Sequence, residues 1–242
     1  MMGYKGRIIT TFISLLVGIP YCIYNFISLH SILRLEIDLS VLIAVTMIIY
    51  WLGMQYDKAD FYHKELMKKQ KQLTQMAYYD ELTLLPNRSL LYKFLKKSIQ
   101  QIKLDNKSFV VLFIDLDGFK VVNDEFGHYI GDLLLVEVGS TLKSCISEKD
   151  MVARLGGDEF IIVLTDCNKS SAIEIVACVK NKFSKPFILN GRSVQITASI
   201  GASISPDDGL DEELLIQRAD KAMYEAKNKG KNTVAYYQPS IK

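Results

Sequence analysis

The chain opens with two uncharged apolar runs and then changes pattern. From Ile8 to Leu29 no side chain carries a formal charge; as a helix this is about 22 residues or roughly 33 Å, the thickness of a bilayer's hydrocarbon core. A second uncharged run covers Leu39 to Tyr56, about 18 residues and at the short end of the spanning range. Between them sits a short polar connector with His30, Arg34, Glu36 and Asp38. The pattern predicts a two-helix transmembrane hairpin over residues 1–56, with a helical hairpin buried in a soluble domain as the competing reading. A cleaved signal peptide does not fit, because its apolar core would be shorter and no small-x-small site closes the run.

Residues 57–78 are charged and free of Gly and Pro, which predicts a linker or coupling helix. Ala59, Tyr62, Leu66, Leu73 and Met76 recur at alternating three- and four-residue spacing, with Lys69 interrupting the stripe. Such a stripe serves either a short parallel coiled coil between two chains or a solvated connecting helix.

The remainder, residues 79–242, reads as one α/β domain. Asn87 to Lys103 carries Leu90, Leu91, Phe94, Leu95, Ile99 and Ile102 on one side of a helix. Phe109 to Ile114 is an unbroken apolar run ending in Asp115, the pattern of a central strand buried on both faces. A helix over Ile130 to Ile146 follows, then short strands Met151–Leu155 and Glu159–Leu164 around a Gly156-Gly157-Asp158 turn. A helix over Ser170 to Phe183, strands near Phe187–Leu189 and Val194–Ser203, a helix over Asp211 to Asn228 and a strand Thr233–Tyr237 complete the pattern. Hairpins among the strands exclude a purely parallel sheet.

Composition locates the anomaly rather than adding one. The 242 residues are 49% hydrophobic and 23% charged, and a mean hydropathy of +0.13 is high for that charge content. The excess lies in the two N-terminal runs. The apolar content and the scatter of four Cys exclude disorder and a disulfide scaffold. A net charge of +2 argues against a nucleic-acid polymer as partner. Lys5 and Arg7 precede the first run and Lys58, Lys64, Lys68, Lys69 and Lys71 follow the second, against Arg34 alone between them. By the positive-inside rule both termini face the cytoplasm and the connector lies outside. In that reducing compartment Cys145, Cys167 and Cys178 are expected as free thiols, while Cys22 lies in the first apolar run.

The candidate chemistry sits where strands turn. If the strands ending at Asp115 and beginning at Glu159 are neighbours, Asp115, Asp158 and Glu159 converge, which suits an oxygen-seeking magnesium ion beside phosphates. Gly156 and Gly157 supply positive-φ backbone and admit a bulky ligand to the main chain. Alone, the same turn is an ordinary hairpin with a solvated carboxylate.

Four segments, YDELTLLPNR (Tyr79–Arg88), DLDGFKVVNDEFGHYIGD (Asp115–Asp132), RLGGDEF (Arg154–Phe160) and ADKAMYEAKNKGKN (Ala219–Asn232), together resemble the GGDEF family of diguanylate cyclases in order and spacing. The resemblance implies an α+β palm-like fold, a ferredoxin-like sheet with surrounding helices similar to nucleotidyl cyclases. It further implies that a homodimer condenses two GTP into cyclic di-GMP and releases two pyrophosphates. Two Mg2+ ions per site, with Mn2+ as the alternative, would be held by Asp115, the Leu116 carbonyl and Asp158. Asp158 and Glu159 form the catalytic pair, and Asp158 is expected to hold metal more than to act as a base. The base would be read by Asn123 and Asp132, whose other reading is helix capping. Phe119 and Lys120 at a helix start, with Gly156 and Gly157, would receive the triphosphate. Lys227 and Lys231 around a Gly230 cap would also bind it, or else compensate a helix dipole.

The departures from the family pattern are equally specific. Lys231 stands where Arg is usual, Tyr79 where His is usual and Leu84 where Gly is usual. The inhibitory Arg-x-x-Asp is replaced by Ser147, Glu148, Lys149 and Asp150, which predicts weak or absent product inhibition. The sequence therefore reads as a multi-pass cell-membrane diguanylate cyclase with a cytoplasmic catalytic domain; a catalytically silent GTP or cyclic di-GMP sensor is the alternative.

Overall fold

A computed structural model of the chain describes residues 5–29, 32–105 and 107–239. It separates into two compact units, Met1–Thr74 and Gln75–Lys242. His30, expected in the connector, lies outside the described residues.

In the first unit α1 (Lys5–Leu29) runs beside α2 (Ile32–Tyr78). The expected polar connector is shorter than its composition suggests: Arg34, Glu36 and Asp38 are already helical, because nothing between Ile32 and Ser40 breaks a helix. The stretch expected as a separate coupling helix is the continuation of α2. The two helices are antiparallel, as successive contacts show. Asp57 accepts from the Gly6 and Arg7 amides at 2.9 and 3.3 Å, the Ser14 and Thr46 hydroxyls are 3.2 Å apart, and Asn25 Nδ2 donates to Asp38 at 3.0 Å. A Cβ added at Gly53 would lie 2.6 Å from Arg7 Cα, and one at Gly18 2.1 Å from a Leu42 methyl. Such approach through small residues is how helices pair in an apolar solvent. The outward side chains, among them Phe12, Leu16, Tyr24 and Trp51, are exposed, and both helices are long and apolar enough to cross a membrane.

In the second unit Tyr79 and Pro86 pair across a turn, and α3 (Arg88–Asp105) begins where Asn87 Oδ1 accepts from Ser89 and Leu90 amides. The remaining elements are β1 (Phe109–Asp117), α4 (Phe119–Phe126), α5 (His128–Lys143), β2 (Met151–Gly156), β3 (Glu159–Leu164), α6 (Lys169–Phe183), β4 (Phe187–Leu189), β5 (Arg192–Val194), β6 (Thr197–Ser205), α7 (Glu212–Asn228) and β7 (Val234–Tyr236). The main sheet has the order β2-β3-β1-β6-β7. β1 is antiparallel to both neighbours and β7 is parallel to β6, so the sheet is mixed.

Two-residue alternation along β1 divides the core between the sheet's faces. Val110, Leu112, Ile114 and Leu116 pack with Leu134 and Val138 of α5 and Val176 and Val179 of α6. Phe109, Val111 and Phe113 pack with Leu91 and Leu95 of α3 and Leu215 and Ala219 of α7. Burial on both faces explains why β1 is apolar without interruption. On the α7 side the fit is closest at Gly201 of β6, where an added Cβ would lie 2.0 Å from the Ala219 carbonyl oxygen and 2.1 Å from Met223 N.

One expectation fails in this unit. Cys145, just past α5, and Cys178 of α6 form a disulfide with Cα atoms 5.9 Å apart, whereas Cys22 and Cys167 are free and buried. The compartment argument addressed the solvent and not the packing of α6 beside the end of α5, which brings the two sulfurs together.

Candidate functional site

The site begins with the register of two strands. Asp115 stands directly opposite Glu159 across β1 and β3, and both side chains project toward α7. The β2–β3 connection departs from regular pairing between Arg154 and Gly156. Gly156 and Gly157 there adopt φ of 148° and 52°, backbone that any Cβ would oppose. The turn folds back until Leu116 N donates to the Asp158 carbonyl at 3.4 Å. Asp115, Leu116, Asp158 and Glu159 are thereby gathered at the carboxyl end of β1.

A cation comes from the helix that covers this face. Lys227, in the last turn of α7, places Nζ 2.8 Å from Asp115 Oδ2. Burial pushes the Asp115 carboxyl above its ordinary range; Lys227 opposes the shift and Asp158 and Asp117 add to it. Glu159 is raised in the same direction by burial, then by Asp115, Asp220 and Asp158. Three carboxylates crowd one ammonium, an excess of negative charge that a hard divalent cation would offset. Among the described residues no group of three or more His, Cys, Asp or Glu side chains forms a ready metal cage; Asp115, Asp158 and the Leu116 backbone are oxygen groups that could serve as donors to a cation.

Asn123 and Asp132 are brought beside this end of β1 on consecutive helices. Neither caps a helix start: those positions are Gly118 and Gly127, and Asn123 lies within α4 and Asp132 within α5. The capping alternative therefore fails. Their neighbourhood depends on Gly131, where an added Cβ would lie 1.9 Å from Asn123 Oδ1 and 3.3 Å from the Phe119 ring. Asp132 is exposed. Intrahelical bonding in α4 starts at Val121 N, which donates to Gly118 O at 2.9 Å. The Phe119 and Lys120 amides thus belong to the opening turn, whose N–H groups point out along the helix axis. Lys120 is exposed and Phe119 half-buried.

Sequence reasoning missed three supports. Arg154 is nearly buried; its Nε and Nη2 donate to the Gly157 carbonyl at 3.1 and 2.7 Å, and its Nη1 to Asp80 at 2.9 Å. Although burial works against ionisation of Asp80, bonds from Thr83 and Arg154 outweigh it and hold the carboxyl below its usual range. The hairpin tip is thus anchored to the turn that follows α2. The second support is Gly131. The third is Asp117, which accepts from Thr197 Oγ1, Ser199 Oγ and Asn232 N. All three residues lie inside the quoted motifs, but a motif does not reveal which members act through others.

The remaining departures have clear placements. Leu84 has φ 56° and is 74% exposed, a conformation suited to the Gly usual there. Asp150 accepts from Ser147 N at 3.1 Å and from Thr165 N and Oγ1 at 2.8 and 3.1 Å. Its carboxylate is occupied by its own loop and by the residue that follows β3. Gly230 follows the α7 cap with φ 106°, and Lys231 follows with φ 62°.

Residues 77–233 match the family model described as diguanylate cyclase, GGDEF domain. Over 212 residues the chain is 38% identical to the bifunctional diguanylate cyclase/cyclic di-GMP phosphodiesterase MucR of Pseudomonas aeruginosa, covering 87% of this chain and 31% of MucR. It is 43% identical over 176 residues to the signaling protein YkoW of Bacillus subtilis, covering 72% of this chain and 22% of YkoW. The chain therefore spans less than a third of either relative's length. The crystal structure of the GGDEF domain of YfiN (TpbB) from Pseudomonas aeruginosa superposes with a TM-score of 0.64 at 32% identity, covering 65% of this chain and 99% of that one.

Proposed function

The chain belongs to the GGDEF-domain family, and we propose from that premise that it is a diguanylate cyclase, condensing two GTP into cyclic di-GMP with release of two pyrophosphates. The observation that carries the reading is the convergence of Asp115, Asp158, Glu159 and Lys227 at the carboxyl end of β1, with Asn123 and Asp132 on the helices that follow.

Guanine selection follows from the donor pattern. The Asp132 carboxylate accepts from the N1–H and exocyclic amino group of guanine, and Asn123 completes the edge. Adenine offers an acceptor and no amino group at those positions, so the carboxylate would face it unpaired, a mismatch worth orders of magnitude in discrimination. Gly131 keeps the Asn123 amide at the α5 surface.

The triphosphate is held by the opening amides of α4 at Phe119 and Lys120, by the bare backbone of Gly156 and Gly157, and by Lys227 and Lys231. Lys in place of Arg at 231 supplies charge without a bidentate grip, which weakens binding. Asp115, Asp158 and the Leu116 carbonyl would hold magnesium, which when bound supplies charge neutralisation to the triphosphate. Asp158 serves as one of those ligands rather than as a base. The 3′-hydroxyl of each GTP attacks the α-phosphate of the other, so two chains must face each other as a homodimer. The first two helices place the enzyme in the membrane, with the basic residues that flank them on the cytoplasmic side.

Product control is weak at the Ser147–Asp150 loop, because Ser147 offers no guanidinium and Asp150 is already saturated by Ser147 and Thr165. Micromolar binding of cyclic di-GMP that Asp150→Ala abolishes would contradict this. The reading as a whole is tested by supplying the full chain, in lipid nanodiscs, with GTP and magnesium and identifying the product by mass. The wild type makes cyclic di-GMP and Asp158→Ala makes none. A dimeric preparation that binds GTP without turnover would make the chain a silent sensor.

A further inference from the structure

The turn between α7 and β7 is strained where it carries a cation, and one carboxylate holds it. Gly230, Lys231 and Asn232 have φ of 106°, 62° and 45° in succession. Glycine adopts this backbone freely and asparagine tolerates it, but a lysine Cβ crowds the next carbonyl. Such a run persists only where the surroundings over-determine it. Lys231 N donates to the Ala226 carbonyl at 3.2 Å, and the chain rejoins the sheet where Ile200 N donates to Thr233 O at 2.9 Å. Between these points the turn is tied to the far end of β1 through Asp117, whose Oδ2 accepts the Asn232 amide at 3.0 Å across 115 positions of sequence.

Asp117 is itself fixed. It stands opposite Thr197 on β6. The Thr197 hydroxyl donates to the same Oδ2 at 2.8 Å, and the Ser199 hydroxyl donates to Oδ1 at 2.7 Å. Both hydroxyls alternate onto the sheet face that α7 covers, as does Asp117. A pair of aspartates two residues apart beside a phosphate site ordinarily reads as two metal ligands. Here the two differ in company. Asp115 faces Lys227 and the carboxylates of the hairpin tip, whereas Asp117 is surrounded by three neutral donors from β6 and the α7–β7 turn.

We infer that Asp117 is a positioning residue for Lys231: it holds the strained turn that presents this cation to the triphosphate, and is not a second metal-binding carboxylate. The inference rests on the assignment of Lys231 to the triphosphate made above.

The test is a double-mutant cycle on the full chain in nanodiscs with magnesium, reading the affinities of a β,γ-imido analogue of GTP and of GMP. Asp117→Asn is expected to weaken the analogue by about tenfold and GMP by less than about twofold, since GMP lacks the β- and γ-phosphates. Combined with Lys231→Ala, it should add less than about twofold to the loss that Lys231→Ala causes alone, because both act through one cation. Ser199→Ala removes one donor while keeping the carboxylate, and should give the same pattern at smaller amplitude even if Asp117→Asn folds poorly. Losses that multiply, an equal loss for GMP, or a higher magnesium requirement in Asp117→Asn would overturn the inference. A wild-type chain that binds neither nucleotide would instead sink the proposed function itself.

Discussion

Glu159 illustrates how burial and neighbouring carboxylates act together on one side chain. Its carboxyl is raised above the ordinary 4.5 by burial and by Asp115, Asp220 and Asp158. A raised acid favours the folded state below its unfolded pKa, and that contribution is lost as pH rises through the folded value. At pH 7, without divalent metal, the ionised side chain therefore opposes folding. Glu159→Gln should raise the melting temperature there by roughly 1–4 °C, with the gain closing below pH 4.5; a variant less stable than the parent at pH 7 would contradict the electrostatic account. Gly131 makes the complementary case for shape. Gly131→Ala drives a methyl to within 1.9 Å of the Asn123 amide oxygen, so Asn123 must leave. The Kd for GTP should rise about tenfold or more, checked by nucleotide binding at unchanged fold; unchanged affinity would remove Asn123 from the base site.

At the scale of elements, α7 is positioned by close backbone contact as well as by its packed side chains. Gly201 lets it approach β6 until no Cβ fits, and that approach brings Lys227 within reach of Asp115. Gly201→Ala should destabilise the domain by about 3 kcal/mol or more, since both neighbours are main chain and cannot step aside; denaturant unfolding checks this, and a loss under about 1 kcal/mol would show that α7 has freedom to shift. The elements themselves were largely legible. The unbroken apolar run of β1 and the one-sided apolar stripe of α3 each follow from burial on known faces. The site was legible through motifs that place Asp115 and Asp158 at strand ends. The bond from Arg154 to Asp80, the tie from Asp117 to Asn232 and the Cys145–Cys178 pair were not legible. Each joins residues far apart in sequence, and local periodicity carries no information on such meetings. The polar composition of residues 34–38 misled in the opposite sense, because charge alone does not end a helix that lacks a breaker.

For the whole molecule, the two long apolar helices and the sheet domain divide the work the sequence asks for. The hydropathy excess sits in α1 and the first part of α2, whose outward faces are apolar and whose mutual contacts run through Gly18, Gly53 and hydroxyls. The sheet domain holds every residue assigned to nucleotide chemistry. Family membership does not decide activity, since relatives with this domain include proteins named as cyclic di-GMP phosphodiesterases from Pseudomonas aeruginosa and Escherichia coli. What supports the proposal of synthesis in this chain is the joint presence of the carboxylates, of Asn123 and Asp132, and of the lysines. The most direct test is turnover by the full chain in nanodiscs with magnesium. GTP should yield cyclic di-GMP and pyrophosphate in a ratio of one to two while ATP yields nothing, whereas GTP bound tightly by a dimer with no pyrophosphate released would contradict the account.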